Sequence, residues 1–118
     1  MSQLSIVKIG GNIIDDEAAL HRFLDDFARI PGPKILLHGG GKKATALSAQ
    51  LGIATQMHEG RRITDAATLD VAVMVYAGLI NKNIVAALQA RSCPAIGLCG
   101  ADAGCIAAEK RPVKEVDF

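Results

Sequence analysis

Two glycine-rich turns hold the residues of this sequence whose types and spacing are best suited to chemistry. Lys8 is followed by Gly10 and Gly11, and His38 is followed by three successive glycines at residues 39–41. Each glycine costs backbone entropy, roughly 1 kcal/mol relative to alanine, so a run of three indicates a close approach to the backbone. Backbone N–H groups left without a partner beside a lysine favour the binding of an anion. Both turns are therefore candidate anion-binding loops.

The elements around these turns predict that both lie at one edge of a parallel sheet. Residues 4–9 and 35–37 are short apolar runs typical of strands, and the apolar spacing between them predicts an amphipathic helix that Asp15 or Asp16 caps. A second helix is predicted over residues 42–51, facing inward with Ala44, Leu47 and Leu51. Because this order favours βαβ units, the strands should be parallel and their carboxyl ends should share one ligand-binding edge.

Neither turn matches an established nucleotide-binding signature. The segment GGGKK lacks the GxxxxGK[ST] spacing of a P-loop and the GxGxxG spacing of a dinucleotide fold. Two plain interpretations stay open: a tight strand-to-helix turn that binds nothing, and a strand-end lysine that is simply solvated. An unrelated Rossmann-like domain whose glycines hold a nucleotide is a further alternative.

Arg62, in the segment GRRIT, is a third candidate for ligand binding. Residues 56–58 and 61–63 predict a small hairpin, in which Arg61 and Arg62 point to opposite faces so that only one faces the cleft. An arginine can grip a carboxylate through two parallel hydrogen bonds. The alternative is a hairpin arginine that is only solvated.

Residues 64–91 predict a long helix that is apolar on two sides. Its two stripes are Leu69, Ala72, Val73, Tyr76 and Ile80, and Val71, Val75 and Leu79. A helix that is apolar on two sides must be covered on two sides, which predicts a homodimer through this helix. The alternative is that another element of the same chain covers it.

The remaining sequence predicts a third core strand at residues 95–99 (AIGLC) and a hairpin formed by residues 106–109 and 113–118. The sequence stops at Phe118 within an apolar strand pattern. That pattern predicts that the chain is a fragment of a longer protein.

Composition narrows the function classes. The chain has 118 residues, 50% of them hydrophobic, and a formal net charge of +1, which suits one soluble domain and gives no reason to expect nucleic acid. No signal peptide and no apolar stretch of roughly 20 residues is evident, so we expect a cytoplasmic protein without a membrane partner. Cys93, Cys99 and Cys105 lack metal-binding spacing and predict small, partly buried residues with no metal site.

Four motifs occur together in the order of a known family. VKIGGN at residues 7–12, LLHGGGKK at 36–43, GRRIT at 60–64 and AGLINKNIVAAL at 77–88 resemble the acetylglutamate kinases, members of the amino-acid kinase superfamily. The resemblance implies an α/β fold, a three-layer αβα sandwich with a mainly parallel central sheet, of which residues 1–118 are the N-terminal, acyl-amino-acid-binding and dimerisation half. It also implies ATP-dependent phosphorylation of the γ-carboxylate of N-acetyl-L-glutamate, a step of arginine biosynthesis.

The same resemblance implies a role for each candidate residue. Lys8 would stabilise charge on the phosphoryl group in flight, and Gly10 and Gly11 would contact that group through the backbone. Gly40 and Gly41 would hold the substrate, and Arg62 would bind its α-carboxylate. ATP with Mg²⁺ would be bound mainly by a half beyond residue 118, so that the chain alone is inactive. A non-catalytic acyl-amino-acid-binding module and a kinase for N-succinylglutamate or a related acylated amino acid remain alternatives.

Overall fold

Two parallel strands place both glycine turns at one edge of a sheet. The computed structural model describes residues 3–118, in which β1 (Ser5–Lys8) pairs in parallel with β2 (Lys34–Leu37). The register sets Lys8 beside Leu37, and the Ile9 N–H donates to the Leu37 carbonyl at 2.9 Å just beyond the paired region. The predicted parallel pairing is confirmed, and the turns after Lys8 and Leu37 are neighbours because the strands run in the same direction.

Short and medium helices connect the two strands and follow the second. Helix α1 (Gly11–Ile14) and helix α2 (Glu17–Arg29) lie between the strands, and the Asp16 side chain caps α2 by accepting from the Ala19 N–H at 2.8 Å. Helix α3 (Gly41–Gln50) follows the second glycine turn. It buries Ala44 and Ser48, whereas Leu51 is exposed, so the predicted inward position of Leu51 is wrong.

The predicted hairpin is present. Strands β3 (Gln56–His58) and β4 (Arg61–Ile63) pair antiparallel, with Met57 opposite Arg62. The two turn residues, Glu59 and Gly60, both have positive φ, 48° and 75°, which matches the twist of a two-residue hairpin loop.

The long helix spans Ala66–Gln89 and has three parts. Helix α4 (Ala66–Val73) is capped by Asp65, whose side chain accepts from the Thr68 N–H at 2.8 Å. A π-helical segment (Met74–Ile80) and helix α5 (Asn81–Gln89) continue it. The widened turns of the π segment change which residues lie on the buried face of the helix. Its buried residues are Thr68, Val71, Val75, Ile80, Ile84 and Leu88.

The π segment corrects the sequence-based division of this helix into stripes. A regular α-helix would place Ile80 with Leu69 and Tyr76, but the step of five residues from Val75 brings Ile80 onto the buried face. Leu69 and Val73 are exposed and line a cleft, and Met74 and Leu79 are exposed outside it. Both apolar sides exist, but only one is covered within residues 3–118.

By length and composition this helix could cross a membrane, which the sequence analysis did not anticipate. It has 24 residues and a mean hydropathy of 1.7 in its most apolar window, of which 28% is buried. Asp70, Asn81 and Lys82 interrupt the apolar run, which is why no continuous stretch was visible. A core helix passes the same test, so this is weak evidence for membrane insertion.

The third strand predicted at residues 95–99 does not form, and neither does the hairpin predicted at residues 106–118. Exposure alternates from Cys93 to Cys99 as in a strand, but no ladder partner lies beside the segment among the described residues. The segment is tethered instead by side chains, and a 3₁₀ turn (Asp102–Gly104) follows. A strand needs a neighbour for its backbone hydrogen bonds, and periodicity alone cannot supply one. Cys93 and Cys99 are half-buried as expected, whereas Cys105 is exposed.

An apolar cleft of about 960 Å³ separates β2 from the segment 93–100, with the long helix as its floor. The part of the chain that the structure describes therefore has an α/β fold with two two-stranded sheets. The core packs α2 against the long helix, where Leu24 and Phe27 are buried together with Val71 and Leu88.

Candidate functional site

The two glycine turns present backbone N–H groups without acceptors. Gly10, Gly11, Gly40 and Gly41 donate to no acceptor within residues 3–118, and Gly11 and Gly41 open helices, where the first N–H groups have no intrahelical partner. The Lys8 ammonium, at the end of β1, is exposed and makes no hydrogen bond or ion pair with any described residue. Lys8 and the turns therefore offer one cation and several donors at the same edge.

Gly40 is required by packing against the long helix. Its φ is +154°, and a Cβ there would overlap the Cδ1 atom of Ile80 and lie 3.3 Å from the Tyr76 ring. Gly10 and Gly39 differ, because a Cβ on either would meet nothing within 4 Å. The second turn is thus seated on the π segment at Gly40, while the space at Gly10 and Gly39 is open.

Arg62 reaches the first turns of α3. Its Nη2 donates to the Gly41 carbonyl at 3.0 Å and to the Thr45 hydroxyl at 2.7 Å. Its Nε and Nη1 are shielded from solvent and have no partner in the described part of the chain. Arg61 points the other way, with its guanidinium 5.1 Å from the Phe118 ring centroid, as strand alternation predicts. Arg62 is the arginine with unused donors beside the second glycine turn.

Positive charge is concentrated at the start of α3. Lys42 and Lys43 occupy its first turn, Gly40 caps it without a side chain, and no acidic residue lies in that turn. Lysines at a helix N-terminus oppose the helix dipole, so this arrangement favours a bound anion. The charge of Lys42 is partly balanced, because its Nζ lies 3.7 Å from the Asp15 carboxylate at the end of α1. That pair links the two glycine turns.

Sequence analysis assigned no role in the site to several residues that organise it. Thr45 bridges Arg62 to α3, the Tyr76 ring lies where it would crowd a Cβ at Gly40, and His38 is hydrogen-bonded to Asn81. The only sequence signal for Asn81 was its position in the motif AGLINKNIVAAL, and no spacing rule connects it to His38, 43 residues away.

The loop beyond the segment 93–100 is shaped by a carboxylate. Asp102 accepts from the Cys99 N–H at 2.6 Å, and this hydrogen bond, with a smaller contribution from the Lys82 charge, lowers the pKa of Asp102. In residues 3–118 no cluster of three His, Cys, Asp or Glu side chains could hold a metal ion.

The fold and the site define a class of protein: an α/β domain with an anion-binding edge made of glycine turns, an unpaired lysine and an arginine with free donors. This arrangement can position a carboxylate and stabilise negative charge near it.

Sequence comparison identifies the family. The sequence model of the Amino acid kinase family matches residues 3–118, and the chain belongs to this family. A protein named acetylglutamate kinase from Bacteroides fragilis is 59% identical over 98% of this chain and 44% of its own length. Another of that name, from Cytophaga hutchinsonii, is 60% identical over the whole of this chain and 45% of its own length. The resemblance to acetylglutamate kinases is therefore confirmed.

More distant comparisons agree. An acetylglutamate kinase from Methanopyrus kandleri is 38% identical over 92% of this chain and 41% of its own length. The crystal structure of smu.665 from Streptococcus mutans UA159 superposes with a TM-score of 0.57 at 18% identity, covering 75% of this chain and 37% of that one, which supports the fold. The chain spans less than half the length of the curated relatives that it matches. Family membership supports an amino-acid kinase function.

Proposed function

We propose that this chain forms the acyl-amino-acid side of an acetylglutamate kinase, which transfers the γ-phosphoryl group of ATP to the γ-carboxylate of N-acetyl-L-glutamate. The single observation that carries the proposal is the guanidinium of Arg62. It is anchored on Gly41 and Thr45 through one nitrogen and keeps two shielded nitrogens unpartnered. Charged donors without acceptors are costly, and the α-carboxylate of an acylated amino acid docked beside the guanidinium would pair with its charge and satisfy one of these two donors.

The glycine turns receive the other end of the substrate in this proposal. Gly40 and Gly41 hold the acylated amino acid through backbone N–H groups at the start of α3, where Lys42 and Lys43 add positive charge. The open space at Gly39 and Gly10 leaves room for a γ-carboxylate and for the phosphoryl group that moves onto it.

Lys8, Gly10 and Gly11 stabilise the reaction itself. A γ-carboxylate oxygen attacks the γ-phosphorus of ATP and ADP leaves, while negative charge spreads over the phosphoryl oxygens. The Lys8 ammonium and the backbone N–H of Gly11, with Gly10 beside it, face that charge and lower the barrier by preorganised electrostatics. Because β1 and β2 are parallel, these donors lie beside the substrate turn.

ATP and Mg²⁺ are bound mainly outside these 118 residues. The support is that the relatives are more than twice as long as this chain. In the same proposal the complete protein has the three-layer sandwich with a mainly parallel central sheet, is cytoplasmic and acts in arginine biosynthesis. The isolated chain is then inactive as a kinase.

We also infer a homodimer through the long helix. Met74 and Leu79 are exposed apolar residues outside the cleft, and Gly78, also outside it, permits close approach of a second helix. An apolar face of this kind supports association with a second copy.

Ligand titration tests the proposed function. Isothermal titration calorimetry with N-acetyl-L-glutamate should give saturable binding to the full-length protein, and to the chain alone more weakly. The chain alone should not bind ATP tightly, whereas tight ATP binding without acetylglutamate binding would instead identify a nucleotide-binding domain. Titration with N-succinyl-L-glutamate distinguishes the acyl group. Binding of an acylated amino acid without turnover by the full-length protein would identify a regulatory module.

A further inference from the structure

A chain of hydrogen bonds joins the long helix to the second glycine turn. Lys82 Nζ donates to Asn81 Oδ1 at 2.9 Å, and Asn81 Nδ2 lies 3.1 Å from His38 Nε2. The other ring nitrogen, His38 Nδ1, lies 3.0 Å from the carbonyl oxygen of Gly39. All of these bonds run in one direction, from the ammonium group to the turn.

This direction determines the state of the imidazole. An amide NH₂ can only donate, so His38 Nε2 must be unprotonated, and a carbonyl can only accept, so Nδ1 must carry the hydrogen. His38 is therefore the neutral Nδ1–H tautomer. The Lys82 ammonium selects the orientation of Asn81, because it can only donate and therefore holds Oδ1 on its own side.

The last hydrogen bond of this series determines where the Gly40 N–H points. In a planar trans peptide the carbonyl and the following N–H point in opposite directions, and the described residues contain no cis peptide bond. With the Gly39 carbonyl held toward the His38 ring, the Gly40 N–H is turned away from that ring. It finds no acceptor among residues 3–118 although Gly40 is buried, so the acceptor that this N–H lacks would have to come from a bound ligand.

The segment 93–100 supports the starting point of the chain. Lys82 Nζ also donates to the Gly97 carbonyl at 2.9 Å, so the ammonium is held between two acceptors. A Cβ at Gly97 would overlap the Asn81 side chain. Close passage of the backbone at Gly97 thus fixes both Asn81 and Lys82. The series of hydrogen bonds from Lys82 to Gly39, called the relay below, is therefore anchored by the segment 93–100.

We propose that His38, Asn81 and Lys82 are positioning residues that aim the Gly40 N–H at a carboxylate of the acylated amino acid. The identity of that ligand rests on the proposed function, whereas the tautomer of His38 does not depend on it. None of the three side chains is assigned a contact with the reacting atoms.

Nuclear magnetic resonance of the full-length protein labelled with ¹⁵N-histidine tests the relay without any substitution or ligand. The expected result is a neutral His38 with its hydrogen on Nδ1. A neutral His38 with its hydrogen on Nε2 would overturn the proposal, because Nδ1 would then repel the Gly39 carbonyl.

A matched pair of variants tests what the relay does. Asn81→Asp replaces the donor to His38 by an acceptor, so the neutral Nδ1–H signal should disappear, the Gly40 amide resonance should shift, and KM for N-acetyl-L-glutamate should rise about tenfold with KM for ATP unchanged. Asn83→Asp adds the same charge on the exposed side of the same helix and should change none of these. Lys82→Met should act in the same direction as Asn81→Asp, and Lys82→Arg should retain most of the wild-type behaviour.

The outcomes separate the relay from the proposed function. Equal KM values and Gly40 shifts for Asn81→Asp and Asn83→Asp would contradict the positioning role, and Lys82→Met gives the same comparison if Asn81→Asp fails to fold. Absence of acetylglutamate binding by the wild-type protein would overturn the proposed function. The His38 tautomer and its loss in Asn81→Asp would still support the relay in that case.

Discussion

Arg62 and Thr45 meet at 2.7 Å, where Nη2 of the guanidinium donates to the hydroxyl and ties the hairpin to the first turns of α3. Thr45 in turn donates to the Gly41 carbonyl at 3.0 Å, which the same guanidinium nitrogen also contacts. The arginine is thereby held in front of the glycine turn, and its Nε and Nη1 have no partner in the described part of the chain. Such preorganisation is what a carboxylate-binding arginine requires.

Replacing Arg62 should weaken substrate binding specifically. We expect Arg62→Ala to raise KM for N-acetyl-L-glutamate about 10- to 100-fold, because charged hydrogen bonds to a carboxylate are lost. Steady-state kinetics of the full-length protein provide the measurement. Arg61→Ala is the matched control, since the Arg61 guanidinium lies over the Phe118 ring, on the opposite face of the strand from Arg62. An unchanged KM for Arg62→Ala would contradict the carboxylate role.

Replacing Lys8 should slow the chemical step. We expect Lys8→Ala to lower kcat about 100- to 1,000-fold with a smaller effect on KM, because the ammonium stabilises charge that develops in the transition state. Lys8 makes no ion pair with other described residues, so its loss should leave thermal stability unchanged. A loss confined to KM would assign Lys8 to ground-state binding instead.

The glycines of the second turn should respond differently to alanine. Gly40→Ala should destabilise the protein by about 2 kcal/mol or more, because its φ of +154° and its contact with Ile80 leave no space for a methyl group. Gly39→Ala, where the space is open, should leave the free energy of unfolding nearly unchanged and weaken acetylglutamate binding. Urea denaturation and calorimetry provide the two measurements. Equal destabilisation by both variants would contradict this packing.

Charge on the exposed face of the long helix should disrupt the inferred dimer. Met74→Glu or Leu79→Glu should raise the dimer dissociation constant roughly 100-fold or more, because an unpaired charge would be buried at the interface. Analytical ultracentrifugation over a range of concentrations measures this constant. A wild-type protein that is monomeric at all concentrations would refute the dimer.

The cap of the long helix should lose its contribution to stability in acid. Hydrogen bonding to Thr68 lowers the pKa of Asp65 below 3.8, so the charged form is favoured in the folded state. Its contribution is fully present above the unfolded value and is lost as pH falls through the folded value. Asp65→Asn keeps a capping group that does not titrate. Thermal unfolding should therefore show a smaller fall in Tm below pH 4 for Asp65→Asn than for wild type, and equal falls would contradict the assignment.

Most local elements were predictable because their signals are local. The strand–glycine pattern placed β1, β2 and both turns. Asp16, one of the two cap candidates, caps α2, and the hairpin lies at the predicted residues. Strand alternation also assigned Arg61 and Arg62 to opposite faces. The strand predicted at residues 95–99 was wrong because the pairing of a strand depends on a neighbour and not on its own sequence.

The sequence by itself determined the candidate anion-binding edge, since glycine turns after parallel strands converge whatever the details of packing. Only the tertiary structure decided which helix face is buried, because the π segment inserts a step of five residues between Val75 and Ile80. It also decided that residue 40 must be glycine, because a side chain there would overlap Ile80, and that His38 is hydrogen-bonded to Asn81. Contacts between residues that are distant in sequence depend on how whole elements pack, and no spacing rule encodes them.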